Sequence, residues 1–356
     1  MIDLVIALSL FLLSLKECGM NENDRKQKFQ KTTIGLFVVL FSFMAAYKLI
    51  VSQTDADGYW GSYTVLIPNM SFREILERWP DNPLYYILCK IFSSMHFSGH
   101  LWFGVLEFFF LFSFVSLLFK FSPDYRILGL YCFFVMGLFS FSLSASKQTL
   151  AMAFSMLSMA ALIDKKYLRF LLLLVLAFLS HKSSLIVFAG ALLWLAKNKE
   201  GLFWAIVFFL VIVFAFLSTY LLNYALLLID SDHYTTTYFN EQAGLGNITL
   251  LLLYLLVFVS AFLGGDYYLK ESNESWRRFL LGSSILCVAS QTLTSVNADL
   301  FRLAYYIIPL LLLYLITSFS EAGNRGLIIK YALTITLLLY FVYTSRNSNG
   351  FHFMWQ

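Results

Sequence analysis

The sequence predicts an all-α integral membrane protein that crosses the bilayer many times. Hydrophobic residues make up 60% of its 356 residues and charged residues only 13%, whereas soluble proteins carry about 25% charged residues. The apolar residues fall in runs close to the roughly 20 residues that a helix needs to cross a bilayer. With a net charge of only +4, the chain has no broad basic face for a phosphate backbone. The composition therefore excludes a cytosolic enzyme, a secreted disulfide scaffold and a nucleic-acid-binding protein.

Twelve apolar segments are interpreted as membrane-spanning helices, for which about 17 to 25 residues are usual. They are residues 1–15, 33–51, 101–119, 127–143, 147–163, 167–180, 183–196, 202–222, 248–264, 279–295, 300–318 and 327–344. The first lacks the basic region and the small-x-small cleavage site of a signal peptide, so it is interpreted as a span. The prediction is a single transmembrane domain over residues 1–356, with outer hydrophilic loops at 52–81 and 223–247.

Lys and Arg in the short loops give the predicted orientation, because basic residues concentrate in cytoplasmic loops. Residues 16–31 hold five basic residues, so this loop is predicted inside and both termini outside. The other loops that this orientation places inside are also basic. They are 120–126, 165–169, 197–199, 270–278 and 325–330. The orientation is therefore consistent at every inner loop.

Residues 82–95 are apolar but only fourteen residues long, and counting them as a span would invert every later loop. Apolar segments of this length are more often re-entrant or interfacial. We predict a half-helix on the outer side, with Asn82 as its cap and Pro83 in its first turn. Irregular backbone at membrane depth is tolerated where it lines a wet cavity, so this segment is a candidate wall of a site.

Several basic residues fall on the predicted outer side, against the orientation rule, and are therefore candidates for function. Lys147 and Arg302 each lie at the outer start of a span, and Lys182 lies in a tight hairpin between two spans. Arg73 and Arg78 precede the half-helix. Five such cations on one side are more than isolated surface charges would give.

Ion pairing is the alternative for these cations. Arg302 follows Asp299 by three residues, and Arg73 precedes Glu77 by four, which is the spacing of neighbours on one helix face. Both interpretations stay open at the level of sequence.

Carboxylates and aromatic residues are combined near residue 55. Asp55 and Asp57 are followed by Tyr59, a combination suited to sugars, because carboxylates accept hydrogen bonds from hydroxyl groups and aromatic faces stack on C–H groups. A solvated loop with interfacial aromatic anchors is the alternative. His181, in the hairpin before Lys182, could act as a general base or contact a phosphate, or only hold a turn.

No motif for a cofactor is present. The chain has no Walker motif, no GxGxxG, no GxSxG and no HExxH pair. Its four cysteines lie far apart in sequence, unlike a metal knuckle or redox pair. We therefore predict neither a metal nor another cofactor, and the energy for any reaction must come from an activated substrate or a gradient.

The residues from 144 to 188 resemble the central signature of the EpsG/Wzy-type bacterial polysaccharide polymerases. That family has an (Arg/Lys)-Gln-x-(Leu/Ile)-Ala element, a basic inner turn and an Ala-x-x-x-His-x-Ser element. The matching elements are residues 147–151, 165–167 and 177–183; an early Asp-x-x-x-Tyr and a late Arg-x-x-Tyr-Tyr match 55–59 and 302–306. Lys147 stands where the family usually has Arg, so a point charge replaces a bidentate fork.

The resemblance implies an inverting, GT-C-like glycosyltransferase in the bacterial inner membrane. Such an enzyme joins oligosaccharide repeat units linked to undecaprenyl diphosphate into O-antigen or a related surface polysaccharide, on the outer, periplasmic face. The enzyme would lie in membrane lipid, and a chain-length regulator protein is a candidate partner. No nucleic acid is expected to bind. The leaving diphosphate needs cations, and the acceptor hydroxyl needs a base.

Site roles follow from this expectation. His181 is the favoured base, followed by Asp55 and Asp57. The expected substrate-binding residues are Arg302, Lys147, Gln148, Arg73, Arg78, Lys182, Tyr59 and Asp299, the last of which could instead orient Arg302.

Other functions of similar chemistry remain. A flippase or transporter of a lipid-linked sugar would also place cations in a membrane cavity, but transporters usually show inverted repeats and broken helices, and the sequence shows neither. Sequence alone distinguishes poorly between a polymerase and a ligase that moves finished glycan to another lipid, because their chemistry is nearly the same. A membrane acyltransferase is disfavoured, because no His-Asp box is present.

Overall fold

A computed structural model describes residues 2–20, 23–47, 55–121, 124–229, 245–264, 274–291, 293, 301–320 and 324–347. Over these residues the chain is almost entirely helical and contains no strand, which confirms the all-α prediction. The chain divides into two compact units. One comprises Met1–Leu185 with Thr334–Gln356, and the other comprises Ile186–Leu333.

The first unit contains ten helices among its described residues. They are α1 (Ile2–Cys18), α2 (Asn23–Ala46), α3 (Asp55–Gly61), α4 (Phe72–Arg78), α5 (Pro83–Ser94), α6 (Gly99–Leu118), α7 (Arg126–Val135), α8 (Leu138–Ser144), α9 (Ser146–Ile163) and α10 (Tyr167–Ser180). A π-helical turn (Ser62–Leu66) and a 3-10 turn (Ile67–Asn69) join α3 to α4, and a second 3-10 turn (Lys182–Ile186) follows α10.

Six further helices begin in the second unit, and one more begins there and ends in the first. They are α11 (Val187–Ala196), α12 (Glu200–Ile229), α13 (Leu245–Gly264), α14 (Glu274–Ser290), α15 (Phe301–Ala304), α16 (Ile308–Ser320) and, shared between units, α17 (Asn324–Asn347).

Several of these helices have the character of membrane spans. In the described part of the chain, α2, α6 and α17 each contain a stretch long and apolar enough to cross a membrane, and the bent pair α7–α8 could count as a fourth. Five shorter apolar helices add to these. On α2, Phe37 and Phe41 are buried while Leu36 and Val39 are exposed, as expected for a helix with one face to the protein and one to lipid. The number of twelve spans stays a prediction.

The predicted span at 127–143 is not one continuous helix. The chain forms two helices there, α7 and α8, which meet at an angle of 52°. The break falls at Gly137, whose φ of 83° lies in the left-handed region, a conformation that glycine adopts without strain. Hydropathy treats Gly137 as one more residue of an apolar run, so the sequence pattern missed the break.

Two other predicted spans are also interrupted. The segment 300–318 contains the single turn of α15, a break at 305–307 and then α16. Pro309 lies in the first turn of α16, and because it has no N–H group it cannot continue a helix from the preceding residues. The segment 183–196 begins as a 3-10 turn and is α-helical only from Val187. The absence of broken helices, one argument against a transporter, therefore does not hold.

The first predicted outer loop, 52–81, consists of short helices where it is described, from residue 55 onward. A capping box starts α4: the Glu74 N–H donates to the Ser71 hydroxyl at 3.3 Å, and the Ser71 N–H donates to the Glu74 carboxylate at 2.6 Å. These hydrogen bonds lower the pKa of the Glu74 carboxyl. Of the second loop, 223–247, residues 223–229 continue α12, and 230–244 lie outside the described residues.

The predicted half-helix at 82–95 is confirmed as a helix. It forms α5, with Asn82 at the N-cap and Pro83 in the first turn. The Asn82 side chain makes no capping hydrogen bond; its contact with another segment is described below.

Ion pairs gather three predicted inner loops at one end of the first unit, which we call the basic end. The Lys26 ammonium lies 2.6 Å from the Asp124 carboxylate. Lys120 donates to both oxygens of Asp164 at 2.6 and 2.7 Å, and these hydrogen bonds lower the pKa of the Asp164 carboxyl. The loops that follow α1, α6 and α9 are therefore neighbours, as the predicted orientation requires.

A buried carboxylate also stabilises the basic end. Glu17 is fully buried and accepts hydrogen bonds from the backbone N–H groups of Ile127 and Leu128 at 3.1–3.2 Å. The Gln30 side chain donates to the same carboxylate at 2.6 Å. Glu17 thus satisfies the first N–H groups of α7, which no residue within the helix can satisfy.

The opposite end of the first unit is rich in aromatic residues, and we call it the aromatic end. His100 contacts the Ala46 carbonyl oxygen through Nδ1 at 2.6 Å, which joins the end of α2 to the start of α6. The Trp60 ring lies 4.8 Å from the His100 ring. All three residues belong to segments or helix ends that the sequence predicts outside.

Within the second unit, two predicted inner loops also meet. Arg278, in the first turns of α14, donates to the Lys197 carbonyl oxygen at 3.0 Å and pairs with Glu200 at 3.2 Å. The turn between α11 and α12 therefore lies beside the start of α14.

Candidate substrate site

Five aromatic side chains surround the start of α5 and form what we call the α5 aromatic cluster. Tyr85 and Tyr86 are buried. The Trp79 ring stacks on Tyr86 with centroids 3.9 Å apart and planes 9° from parallel. Tyr59 and Trp102 lie 5.6 and 5.9 Å from Tyr85. The half-helix is therefore held by aromatic contacts from α3, α6 and the loop after α4.

Lys147, in the first turn of α9, adjoins this cluster. Its ammonium lies 5.6 Å from the centroid of the Tyr59 ring and 5.7 Å from that of Tyr86. Contacts of this kind contribute on the order of 0.5–2 kcal/mol, more where water is excluded. The structure thus brings together Lys147 and Tyr59, which the sequence proposed for substrate binding from positions far apart in the chain.

Gln148 is almost fully buried, with 4% of its surface exposed. Its side-chain oxygen has no hydrogen-bond partner among the described residues. An unsatisfied buried carbonyl costs about 1–3 kcal/mol. Since successive residues project about 100° apart around a helix, Gln148 points away from the direction of Lys147. The two predicted residues therefore offer different chemistry: Gln148 an acceptor, Lys147 a cation.

His181 ends α10 and begins the hairpin to α11. Its backbone is extended, with φ −165° and ψ 125°, and its N–H donates to the Ala177 carbonyl at 2.9 Å. The Nδ1 atom accepts a hydrogen bond from the Ser183 N–H at 3.3 Å. In a neutral imidazole one nitrogen donates and the other accepts, so this contact leaves the proton on Nε2. The neutral ring then carries its donor on Nε2.

The loop between α4 and α5 contacts the His181 hairpin directly. Asp81 forms an ion pair with Lys182. The Asn82 side-chain N–H, with the amide in the orientation that satisfies its contacts, donates to the Ser180 carbonyl at 3.2 Å. We call these two contacts the Asp81–Asn82 clasp.

Two of the predicted cations lie at the surface of α4. The Arg73 side chain is 88% exposed and pairs with Glu77 at 2.8 Å, so the ion-pair alternative describes it. Arg78 lies with its guanidinium 5.2 Å from the Trp79 ring and thus at the edge of the α5 aromatic cluster.

The two predicted carboxylates lie on α3. Asp55 and Asp57 are both exposed and occupy its first turn. Asp55 precedes Tyr59 by four residues, so the two share a helix face, and Tyr59 contacts the cluster through Tyr85.

Arg302 belongs to the second unit, where it is half-buried in the single turn of α15. Asp299 lies outside the described residues, so its role in substrate binding and the alternative, that it orients Arg302, both stay predictions. In the described part of the chain, no three His, Cys, Asp or Glu side chains gather as a metal site would require.

Sequence reasoning missed Asp81 and gave Asn82 only a capping role. The signal was present but ambiguous, because an Asp-Asn-Pro run before an apolar segment is typical of a helix start. Nothing in the local sequence indicates that both side chains reach a hairpin about a hundred residues later.

A family model described as the EpsG family matches residues 31–355 of this chain. Searches of curated proteins and of solved structures give no match.

Proposed function

Because the chain belongs to the EpsG family, we propose that it is a polysaccharide polymerase, an inverting glycosyltransferase acting on lipid-linked repeat units. In the proposed reaction, a hydroxyl oxygen of one repeat unit attacks the anomeric carbon of a glycan on undecaprenyl diphosphate. The bond from that carbon to the diphosphate oxygen breaks, the diphosphate leaves on its lipid, and a base takes the hydroxyl proton. The proposed location is the outer face of the bacterial inner membrane.

One observation carries the proposal beyond family membership. Lys147 and Tyr59 meet at the α5 aromatic cluster, and the Asp81–Asn82 clasp joins the start of α5 to the His181 hairpin. Aromatic faces, an ammonium and polar side chains are what a sugar bearing a charged leaving group needs. An apolar helix bundle built only for packing has no need of them.

We assign the cations as follows. Arg302 binds the diphosphate, because a planar guanidinium can donate two parallel hydrogen bonds to phosphate oxygens. Lys147 supplies a further positive charge beside the aromatic rings. Arg73 is a weaker candidate, because its charge is already compensated by Glu77.

For the base, the hydrogen bond from Ser183 to Nδ1 of His181 supports a change from the sequence expectation. We propose that His181 holds the acceptor hydroxyl through Nε2–H and that Asp55 or Asp57 takes the proton. Both carboxylates are exposed and lie on the helix that carries Tyr59.

The proposal is tested by glycan length in a strain that lacks the gene. A lost polymerase leaves single repeat units at the cell surface. Reintroduced Arg302→Ala should give the same single units at a normal protein level, since losing one charged contact in a transition state costs on the order of 3 kcal/mol, about a hundredfold in rate. The matched control is Arg169→Ala at the basic end, which should restore long chains. Long chains from Arg302→Ala would show that Arg302 does not bind the diphosphate.

A second candidate function is favoured by the broken segments at Gly137 and at 305–307. Broken helices are typical of transporters, so a flippase of the lipid-linked unit is the competing proposal. The same strain separates the two, because loss of a flippase leaves no repeat units outside.

A further inference from the structure

The loop that connects α4 to α5 holds a carboxylate that the sequence did not single out. We propose that Asp81 is a positioning residue: through Lys182 it fixes the His181 hairpin against the start of α5. The inference rests on the proposed polymerase function and adds to it a residue that acts without touching substrate.

The contact is specific and spans 101 residues of sequence. Asp81 and Lys182 are about half exposed, at 55% and 48%, and each forms this ion pair and no other among the described residues. Lys182 directly follows His181, so the ammonium anchors the backbone beside the imidazole. The Asn82 amide adds a second anchor at the Ser180 carbonyl, one residue before His181.

The same loop is also fixed on its other side. Trp79 stacks on Tyr86 at 3.9 Å, and Tyr86 lies 5.7 Å from the Lys147 ammonium. The loop therefore contacts the cluster beside Lys147 at one end and the His181 hairpin at the other. A shift of the loop would change the position of His181 relative to Lys147, and small misplacements of reacting groups can cost up to a hundredfold in rate.

Stability gives no sufficient reason for this pair. Exposed ion pairs add little to folding, and a hairpin can be closed without one. The pairing also changes the expected role of Lys182: its charge is compensated by Asp81, so it serves the clasp and does not bind the diphosphate.

The test uses purified full-length protein in lipid nanodiscs. The substrate is lipid-linked single repeat units extracted from the strain that lacks the gene. Asp81→Asn and Lys182→Gln should each lower kcat about tenfold with KM within about twofold, and the midpoint of thermal unfolding should not change. The charge-reversed double variant Asp81→Lys with Lys182→Asp should recover most of the lost turnover. Asp164→Asn, which breaks the Asp–Lys pair at the basic end, is the matched control and should keep normal turnover.

Hydrogen exchange measured by mass spectrometry gives a readout that does not depend on activity. Peptides covering residues 177–186 should exchange faster in Asp81→Asn than in wild type and in Asp164→Asn. Unchanged exchange there would overturn the clasp, whether or not the protein polymerises glycan.

Kinetics can also overturn the inference. If Lys182→Gln abolishes turnover while Asp81→Asn does not, Lys182 contacts the substrate itself. A double variant no better than the single ones would likewise exclude a purely positioning pair. A third outcome counts against the proposed function alone. In it, the wild-type protein forms no polymer, but residues 177–186 still exchange faster in Asp81→Asn than in wild type.

Discussion

His181 shows how one backbone contact can restrict a residue's chemistry. With Nδ1 accepting from the Ser183 N–H, the neutral ring carries its proton on Nε2, from which it can donate to a hydroxyl. A histidine considered by residue type alone is instead a good candidate for a base at neutral pH. The ring nitrogen that carries the proton decides between these two roles, and the Ser183 N–H in the hairpin favours the donor.

Substitution of His181 by Gln separates the two roles, because Gln can donate a hydrogen bond but cannot take a proton. We expect purified His181→Gln to keep turnover within about tenfold of wild type. One of Asp55→Asn and Asp57→Asn should lose at least about a hundredfold, the contribution typical of a general base. Turnover is measured with extracted lipid-linked repeat units. If His181→Gln is inactive while both Asn variants remain active, His181 is the base.

Sequence indicates candidate residues for the site more readily than their contacts. Lys147 and Tyr59 are each predicted to bind substrate from separate parts of the chain, and the structure places them at one cluster. The ion pair of Arg73 with Glu77 is predictable from sequence, because it depends only on their spacing of four residues along one helix. The pairing of Asp81 with Lys182 is not, because it depends on how distant segments pack, which no spacing rule contains.

At the scale of elements, hydropathy found where the helices lie but not where they break. The predicted bounds 167–180 and the observed α10 agree, since a polar turn flanks this helix on each side. The interior of 127–143 has no charged residue and no proline to mark the break at Gly137. Pro309 could have indicated the break before α16, because proline rarely continues a helix.

Gly137 makes the break testable. Replacing it by Ala forces a side chain into the left-handed region, which costs about 1–2 kcal/mol. We therefore expect Gly137→Ala to lower the free energy of unfolding by about that amount, measured by thermal or denaturant unfolding in detergent. The control is Gly35→Ala on α2, where an added Cβ meets no atom within 4 Å. Ala is the better helix former there, by about 0.5–1 kcal/mol, so the control should be neutral or more stable. A Gly137→Ala protein as stable as wild type would mean that α7 and α8 tolerate a straight path.

At the scale of the whole molecule, the inner loops are predicted from their Lys and Arg content alone. That prediction says nothing about whether the loops contact each other. Yet Lys26 meets Asp124, and Lys120 meets Asp164, at one end of the first unit. Inverting any one helix between these loops would separate a pair. Charge counting therefore predicts which helix ends are neighbours in the first unit.

Reporter fusions decide the orientation of the first unit. Cytoplasmic loops are rich in Lys and Arg, and the basic end joins three such loops through ion pairs, so we expect it to face the cytoplasm. A fusion truncated at Asp164 should be active with green fluorescent protein, which folds in the cytoplasm, and inactive with alkaline phosphatase, which needs the periplasm. A fusion at Ser272, between α13 and α14, should behave in the same way, and one at Ser98, before α6, should show the reverse. Alkaline phosphatase activity at Asp164 would place Lys147, His181 and the α5 aromatic cluster on the cytoplasmic side. Repeat units already carried to the outer face could not reach them there, and the proposed polymerase would have to be abandoned.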